Sequence, residues 1–410
     1  MRTLVILGSG TAGTIAANKL RRRLPRDDWE ITIVEQRGAH YYQPAFLFIP
    51  FGRYRPARAR RSAARYLPKG VTRVKGEVER VDPESRKVSL VDEGEISYDY
   101  LIIATGTSPY PDETPGMADD WHGAVHSFYE YDDAVALREA IAHFDGGRLV
   151  VHITEMPIKC PVAPLEFALL ADDHFRRRGI RDKVEITFVT PLDGAFTKPI
   201  ASATFGTLLE DRGISLEPDF MIERVDPEGH RIVSYDEREV PYDLLVTIPL
   251  NRGAAFVGRS GLGDELDFVT VDKGTLRHTQ YDTIFAIGDA ANVPTSKAGA
   301  VAHFEMDMFP EQFARMVEGD EPTETFDGHA TCFIESGGRK AMLIDFNYAT
   351  EPLRGVFPLP AIGPMPLLKE SRLNHLGKLG FEWAYWWMLL PGRPLPLPGR
   401  MSMKGKKEEK

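Results

Sequence analysis

The sequence predicts an α/β protein with two Rossmann-like domains and an amphipathic C-terminal segment. Three observations lead to this fold class. The N-terminus reads as a strand, a glycine-rich turn and a helix; later apolar strands end in short polar turns; and a tryptophan-rich stretch lies near the C-terminus. A chain of 410 residues is also longer than one hydrophobic core usually serves, so more than one domain is expected.

A βαβ unit is predicted at the N-terminus. An apolar strand ends in the turn GSGTAG, and a helix and a second strand follow. In such a unit Gly8 makes the tight turn, Gly10 lets the backbone approach a pyrophosphate, and Gly13 allows close packing of the helix. Glu35 lies 22 positions after Gly13 (35 minus 13), where a carboxylate accepts hydrogen bonds from a ribose diol. The unit therefore predicts a dinucleotide site.

Two later strands run into Thr105-Gly106 and into Gly288-Asp289. Together with the N-terminal turn, these motifs resemble those of the glutathione-reductase-like flavoproteins over roughly the first 330 residues. The resemblance implies two FAD/NAD(P)-binding domains and FAD as the cofactor. It implies that Asp289 holds the ribityl hydroxyls, and that the loop containing Pro44 packs against the isoalloxazine.

We expect the FAD-binding domain in two parts, 1–110 and 276–330, with the second Rossmann-like domain at 111–275 and the C-terminal segment at 331–410. The second domain lacks a glycine-rich turn of its own. After the strand LVVHI the chain reads TEMPIKCPVAP, where prolines and side chains occupy positions at which a nicotinamide pyrophosphate needs bare backbone. We therefore expect that NAD(P)H is not the electron donor.

The chain has two cysteines, Cys160 and Cys332, which are 172 positions apart (332 minus 160). Two thiols are too few for a secreted disulfide scaffold or a zinc site. Either they are unrelated buried residues or they form one catalytic pair. Cys160 follows Lys159 and precedes a predicted helix, an electropositive setting that is expected to lower the pKa of the thiol.

The segments KCPVAPLEF and ATCFIES resemble those of the sulfide:quinone oxidoreductase family, with flavocytochrome c sulfide dehydrogenase as its nearest relation. The resemblance implies that Cys160 and Cys332 lie on one flavin face. Sulfide would open the pair, leaving the extra sulfur on Cys160 while Cys332 reacts with the flavin. Glu166 matches an acid that manages protons in the family; the alternative is a carboxylate favoured by the helix dipole.

Lys297, in the segment VPTSKAG, resembles the family's position beside flavin and quinone. The resemblance implies a hydrogen bond from Lys297 to the quinone oxygen or the flavin carbonyl, which would stabilise negative charge during reduction. The alternative is a surface lysine. The other partners expected are sulfide, a sulfur acceptor (a thiol or a growing sulfide chain) and further copies of the chain in a homo-oligomer. A formal net charge of -10 argues against nucleic-acid binding.

The stretch 380–391 contains three of the five tryptophans. Twelve residues are too few to span a bilayer, which takes about 20, but they can lie in its surface. A buried dimer interface is the alternative use of these rings. Between positions 369 and 407 eight basic residues face two acids, Glu370 and Glu382, which suits anionic lipid heads. The basic residues are Lys369, Arg372, Lys378, Arg393, Arg400, Lys404, Lys406 and Lys407.

The N-terminus enters a strand at once, so we expect no signal peptide and a monotopic protein on the cytoplasmic side of the cell membrane. Our leading hypothesis is a sulfide:quinone oxidoreductase. The alternatives are an NADH:quinone oxidoreductase of the same architecture, a soluble flavocytochrome-type sulfide dehydrogenase, and a non-catalytic flavoprotein that senses or stores sulfane sulfur. Six arginines between positions 53 and 65 form either a solvated charged face or a contact for an anionic surface or ligand.

Overall fold

The computed structural model describes residues 1–92, 94–358, 363–395 and 399–407. The α-helices are α1 Thr11–Arg23, α2 Tyr131–His143, α3 Ala163–Arg178, α4 Pro199–Asp211, α5 Ala255–Arg259, α6 Gly299–Met316 and α7 Arg372–Ala384. The strands are β1 Arg2–Leu7, β2 Trp29–Glu35, β3 Ala39–Tyr41, β4 Arg60–Ser62, β5 Thr72–Lys75, β6 Val78–Asp82, β7 Lys87–Leu90, β8 Glu95–Ser97, β9 Tyr100–Ile103, β10 Ser108–Tyr110, β11 Val125–His126, β12 Gly147–Ile153, β13 Val184–Val189, β14 Ser215–Glu217, β15 Ile222–Asp226, β16 Arg231–Ser234, β17 Glu239–Pro241, β18 Leu244–Ile248, β19 Leu250–Arg252, β20 Ile284–Ala286, β21 Ala330–Gly337, β22 Lys340–Phe346, β23 Arg354–Phe357, β24 Met365–Leu367 and β25 Lys406–Lys407.

The first sheet is parallel and has the strand order β20-β9-β1-β2-β5. Its central strand, β1, is buried on both faces, as its continuous apolar sequence requires. Strand β20 joins from a distant part of the chain and pairs with β9. The carboxyl ends of β1, β9 and β20 therefore meet at one edge, where a doubly wound sheet binds its ligands.

The second sheet is also parallel, with the order β11-β18-β12-β13-β14. Helix α3 connects β12 to β13, and α4 connects β13 to β14. The first unit and the second unit are the parts of the fold built on these two parallel sheets. Smaller antiparallel sheets, β6-β7-β8 and β15-β16-β17, extend the two units. The α/β fold class is thus confirmed.

The C-terminal part begins with the hairpin of β21 and β22, against which α3 and α7 pack. Strand β25 completes the small sheet β24-β23-β25. Its Lys406 is buried and pairs with Asp345 at 2.5 Å between Nζ and Oδ2. The prediction that Lys406 is among the lipid-facing basic residues was therefore wrong, since its ammonium group neutralises a carboxylate in the interior.

The turn between β1 and α1 shows why glycine is needed there. Gly8 has a φ of +100°, and a methyl group at this position would lie 2.5 Å from the carbonyl oxygen of Ala104. A methyl group at Gly13 would lie 2.0 Å from the carbonyl oxygen of Gly8. A methyl group at Gly10, by contrast, would meet no atom within 4 Å. Two glycines thus close the turn, and the third leaves its outer side open.

Within the described part of the chain, none of the helices combines the length and hydropathy that crossing a bilayer requires.

We predict that Gly13→Ala lowers the free energy of unfolding by about 1–3 kcal/mol, because the added methyl group overlaps the Gly8 carbonyl. Gly206→Ala, in the middle of α4, is the matched control. Its methyl group would enter open space, so helix propensity should leave stability unchanged or raise it by up to about 1 kcal/mol. Urea unfolding of the three proteins measures the difference. Equal midpoints for wild type and Gly13→Ala would contradict this account of the turn.

Candidate active site

The loop that carries Cys160 leads from β12 into α3 and is fastened to the first unit. The backbone N–H of Cys160 donates to the carbonyl of Lys297 at 2.6 Å, and Lys159 and Lys297 form an isolated β-bridge. The hydroxyl of Tyr129 donates to the carbonyl of Cys160 at 3.1 Å. Cys160 itself has a φ of +48°, which is uncommon for a non-glycine residue. The loop is thus held beside the segment that follows β20.

Cys332 lies on β21, opposite Ile344. Cys332 is buried in the same apolar core against which Cys160 packs, and both are free thiols. Helix α3, which begins shortly after Cys160, packs against β21. Its Glu166 accepts a hydrogen bond of 2.6 Å from the backbone N–H of Glu335 on the same strand as Cys332. The structure therefore places in one cluster two residues that the sequence separates widely.

The expectation that Lys159 lowers the pKa of Cys160 was wrong. Burial raises the pKa of Cys160, and the Glu166 carboxylate raises it further. The Lys159 ammonium is directed to Glu130, with 2.7 Å between Nζ and Oε1. Burial likewise raises the pKa of Cys332 to about 12. Burial therefore disfavours the thiolate form of both residues.

Glu166 lies in the first turn of α3 and is fully buried. Its Oε1 accepts a hydrogen bond from the backbone N–H of Glu335 at 2.6 Å and forms an ion pair with Lys378 of α7. Burial raises the pKa of Glu166 to about 7, against the opposing effect of Lys378. A carboxyl group with this pKa is well matched to proton transfer at neutral pH.

Sequence reasoning missed Lys378, which had been counted among the lipid-facing basic residues. That prediction was wrong because Nζ is buried and also donates to the carbonyl of Phe333 at 3.1 Å. Sequence reasoning also missed the pair of buried Glu335 and half-buried His375, with 2.8 Å between Oε1 and Nδ1. A helical wheel could have found both, since His375 and Lys378 are three positions apart on one face of α7.

Glu35 ends β2 and is buried. Its Oε1 accepts from Arg73 Nε at 2.8 Å, and its Oε2 accepts from the backbone N–H of Gly38. Oε1 also accepts from Arg73 Nη2, so Oε2 is the oxygen with room for a further bond, and a ribose hydroxyl predicted at Glu35 can bind there. The ion pair with Arg73 had not been predicted.

Thr105 and Gly106 follow β9 at the same edge of the sheet. The Thr105 hydroxyl is buried and has no hydrogen-bond partner among the described residues, and Gly106 has a φ of +70°. Pro44 lies in the 3₁₀ helix Gln43–Ala45 of a neighbouring loop. Thr105 lies next to Gly8 of the glycine-rich turn, with its Cα 3.1 Å from where a methyl group on Gly8 would be. An orphaned buried hydroxyl at this turn fits a bound dinucleotide, because the ligand can supply the missing partner.

Asp289 and Lys297 lie after β20. Burial raises the pKa of Asp289, opposed by Lys297 and Lys159. Lys297 Nζ donates to the carbonyls of Asp289 and Ala291, each at 3.0 Å, and burial lowers its pKa to about 8. The surface-lysine alternative is therefore excluded. Gly288, with a φ of +63°, is held by a hydrogen bond of 2.6 Å from its N–H to a buried carboxylate.

Helix α7 exposes an apolar stripe that continues into the π-helical turn Tyr385–Leu389. Its members are Leu373, Leu376, Leu379, Trp383 and Trp387, spaced three or four residues apart. Trp383 is 62% exposed, whereas Trp386 is 1% exposed and packs on Tyr66 at 5.2 Å between ring centroids. The expectation that all three rings are free to meet a surface was therefore wrong for Trp386.

The arginine-rich segment at 53–65 contacts the C-terminal part. Arg61 lies 4.1 Å from the centroid of the Trp386 ring, and Arg58 pairs with Glu382 at 3.2 Å. Arg53 forms an ion pair with Asp173 of α3. At least these three side chains are structural contacts rather than a wholly solvated face.

Fold and site together define the class of protein. Residues 2–303 match the family model described as "Pyridine nucleotide-disulphide oxidoreductase", and the chain belongs to that family of oxidoreductases. Within it, the chain belongs to the sulfide:quinone oxidoreductase family. It is 30% identical over 399 residues to the mitochondrial sulfide:quinone oxidoreductase of Dictyostelium discoideum, covering 95% of this chain and 86% of that relative.

Two further comparisons agree. The mitochondrial sulfide:quinone oxidoreductase of Mus musculus is 26% identical over 397 residues, covering 95% of this chain and 86% of the relative. The crystal structure of the sulfide:quinone oxidoreductase from Aquifex aeolicus superposes with a TM-score of 0.81 at 21% identity, covering 96% of this chain and 92% of that one. The predicted family resemblance is thus confirmed by sequence, and the fold by structure.

We predict that Lys378→Met lowers the free energy of unfolding by about 3–5 kcal/mol, because it leaves the Glu166 carboxylate buried without its partner. Adding Glu166→Gln should recover part of this loss, since neither charge is then buried. The control is Lys87→Met, which removes a solvent-exposed pair with Glu95 and should leave the urea midpoint almost unchanged. Equal urea midpoints for Lys378→Met and Lys87→Met would refute the importance of the buried pair.

Proposed function

We propose that the protein oxidises sulfide through Cys160 and Cys332 and passes the electrons through FAD to a quinone. The observation that carries the proposal is that the buried pair of Glu166 and Lys378 joins the helix after Cys160 to the strand of Cys332. Cys160 itself lies on a loop fastened to Lys297. The names of the relatives from Dictyostelium discoideum and Mus musculus support the same activity.

FAD would be held by the residues at the edge of the first sheet. The open side of Gly10 at the N-terminus of α1 suits its pyrophosphate, because the helix dipole and free N–H groups favour anions there. Glu35 would bind the ribose, and Thr105 and Asp289 the remaining polar groups. When bound, FAD supplies a two-electron acceptor that a quinone can reoxidise.

The cysteine chemistry starts from the pair joined as a disulfide. Hydrosulfide attacks the sulfur of Cys160; the bond to Cys332 breaks, a new sulfur–sulfur bond forms on Cys160, and Cys332 leaves as a thiolate. Glu166 accepts the proton of the resulting persulfide, and Lys378 balances the charge that gathers between them. An acceptor thiolate then attacks the outer sulfur and releases Cys160. The two cysteines return to the disulfide by losing two electrons, which FAD would accept and pass on to a quinone.

We further propose that the stripe on α7 docks the protein peripherally on a membrane, from which quinone is reached. Each exposed ring of Trp383 and Trp387 could contribute roughly 2–3 kcal/mol on leaving water. Arg65 lies beside Trp387, with its guanidinium 6.0 Å from the ring centroid, where it can meet an anionic headgroup. It stays a prediction that the protein lies on the cytoplasmic side of the membrane and forms a homo-oligomer. The same holds for a thiol or a growing sulfide chain as the sulfur acceptor.

Stopped-flow absorbance of the flavin tests the activity. We predict that sulfide bleaches the flavin rapidly and that an equal concentration of NADH does not. Cys332→Ser and Cys160→Ser should each slow reduction by sulfide at least about a thousandfold, because neither can form the pair. Unchanged flavin absorbance in the variants controls for folding. Full reduction of Cys332→Ser at the wild-type rate, or bleaching by NADH as fast as by sulfide, would overturn the proposal.

Flotation with vesicles that contain anionic phospholipid tests the docking stripe. We predict that Trp383→Ser weakens partitioning onto vesicles about 30- to 150-fold, because one exposed ring no longer leaves water. Tyr235→Ser is the matched control: its ring is 73% exposed but lies on the second unit, next to β16, so its loss should not matter. If both variants bind vesicles as well as the wild type does, α7 is not the docking surface.

A further inference from the structure

Residues 385–392 lie along α1, the helix that begins at the glycine-rich turn. Three side chains of α1 contact this stretch: Thr11, Asn18 and Arg22. They are seven and four positions apart and therefore share one face of the helix. The proposed chemistry uses none of these contacts, although they join the C-terminal part directly to the dinucleotide site.

At the N-terminal end of α1 a chain of hydrogen bonds has a fixed direction. His40 Nδ1 lies 3.1 Å from the carbonyl oxygen of Ser9, which can only accept, so Nδ1 carries the proton. Burial lowers the pKa of His40 to about 4, so the ring is neutral and Nε2 is an acceptor. The Tyr385 hydroxyl, at 2.7 Å, donates to Nε2 and in turn accepts from the Thr11 hydroxyl at 2.7 Å.

These hydrogen bonds fix the glycine-rich turn at the residues on both sides of Gly10. Ser9 precedes Gly10 and Thr11 follows it, and both are bound through Tyr385 and His40. Because the Thr11 hydroxyl donates its hydrogen bond to Tyr385, a phosphate bound at the turn accepts hydrogen bonds from backbone N–H groups rather than from that hydroxyl. The position of those N–H groups then depends on Tyr385.

Toward the C-terminal end of α1, the contact with residues 385–392 is equally close. Asn18 Nδ2 donates to the carbonyl of Leu390 at 3.0 Å, and Arg22 donates to the carbonyl of Gly392 at 2.6 Å. Gly392 has a φ of +63°, and a methyl group there would lie 2.9 Å from Lys19. The stretch therefore cannot lift from α1 without losing bonds along about three turns of helix.

We propose that residues 385–392 are a clamp that retains the cofactor, with Tyr385 and His40 as positioning residues for the pyrophosphate turn. This inference rests on the proposed binding of FAD. Because linkage is reciprocal, a clamp that orders the turn strengthens FAD binding, and bound FAD strengthens the attachment of the clamp. The C-terminal part thus helps to bind the cofactor and also forms the docking surface.

The test is the rate at which the full-length holoenzyme releases FAD. The holoenzyme is diluted at a temperature at which it stays folded, and release is followed as the rise in flavin fluorescence. Tyr385→Phe should release FAD about tenfold faster, since the turn loses its support and His40 loses its donor. The matched control is Tyr98→Phe. Tyr98 is as buried as Tyr385, but its hydroxyl has no partner among the described residues, so release should match the wild type.

Thr11 supplies a second test that keeps Tyr385 intact. Thr11→Val should speed release as Tyr385→Phe does, Thr11→Ser should restore the wild-type rate, and the double variant Thr11→Val with Tyr385→Phe should be no faster than either single one. Release from Tyr385→Phe at the rate of Tyr98→Phe, or additive effects of the two substitutions, would overturn the clamp. A wild-type protein purified and reconstituted without flavin absorbance would instead overturn the proposed function.

Discussion

A single carboxylate oxygen, Oε1 of Glu166, joins the three elements on which the candidate site depends. It belongs to the helix that follows Cys160, it accepts the backbone N–H of Glu335 on the strand of Cys332, and it binds Lys378 of α7. Each of these elements comes from a different part of the chain. One buried charge therefore links the helix after Cys160, the strand of Cys332 and the C-terminal helix.

Burying this pair is not the cheapest way to join three elements. Apolar side chains of the same volume often give equal or greater stability than a buried ion pair, since both charges must leave water. What an apolar contact cannot supply is a group that titrates near pH 7 beside the thiols. The pair therefore supplies a proton-transfer group beside the thiols and also joins the three elements. This double role explains why Lys378 lies inside the protein.

The sequence predicted the parts that depend on local rules. The turn at Gly8, the position of Glu35 and the strands that lead to Asp289 follow from spacing and periodicity, because backbone geometry permits few alternatives. Apart from Trp386, which packs in the interior, the predictions that failed concern the partners of charged groups. Lys159 precedes Cys160 but binds Glu130, and Lys406 belongs to a basic tail but enters the interior. Such pairings are decided by tertiary packing, which neighbours in sequence do not reveal.

The two faces of α7 impose a constraint on how this chain can vary. The helix presents Lys378 to Glu166 on one side and Leu376 and Trp383 to the surroundings on the other. Each residue turns an α-helix by about 100°, so inserting or deleting one position between Lys378 and Trp383 would rotate the two sides out of alignment. Related chains can therefore differ in length before α7 or after residue 392, whereas α7 itself must keep its residue count.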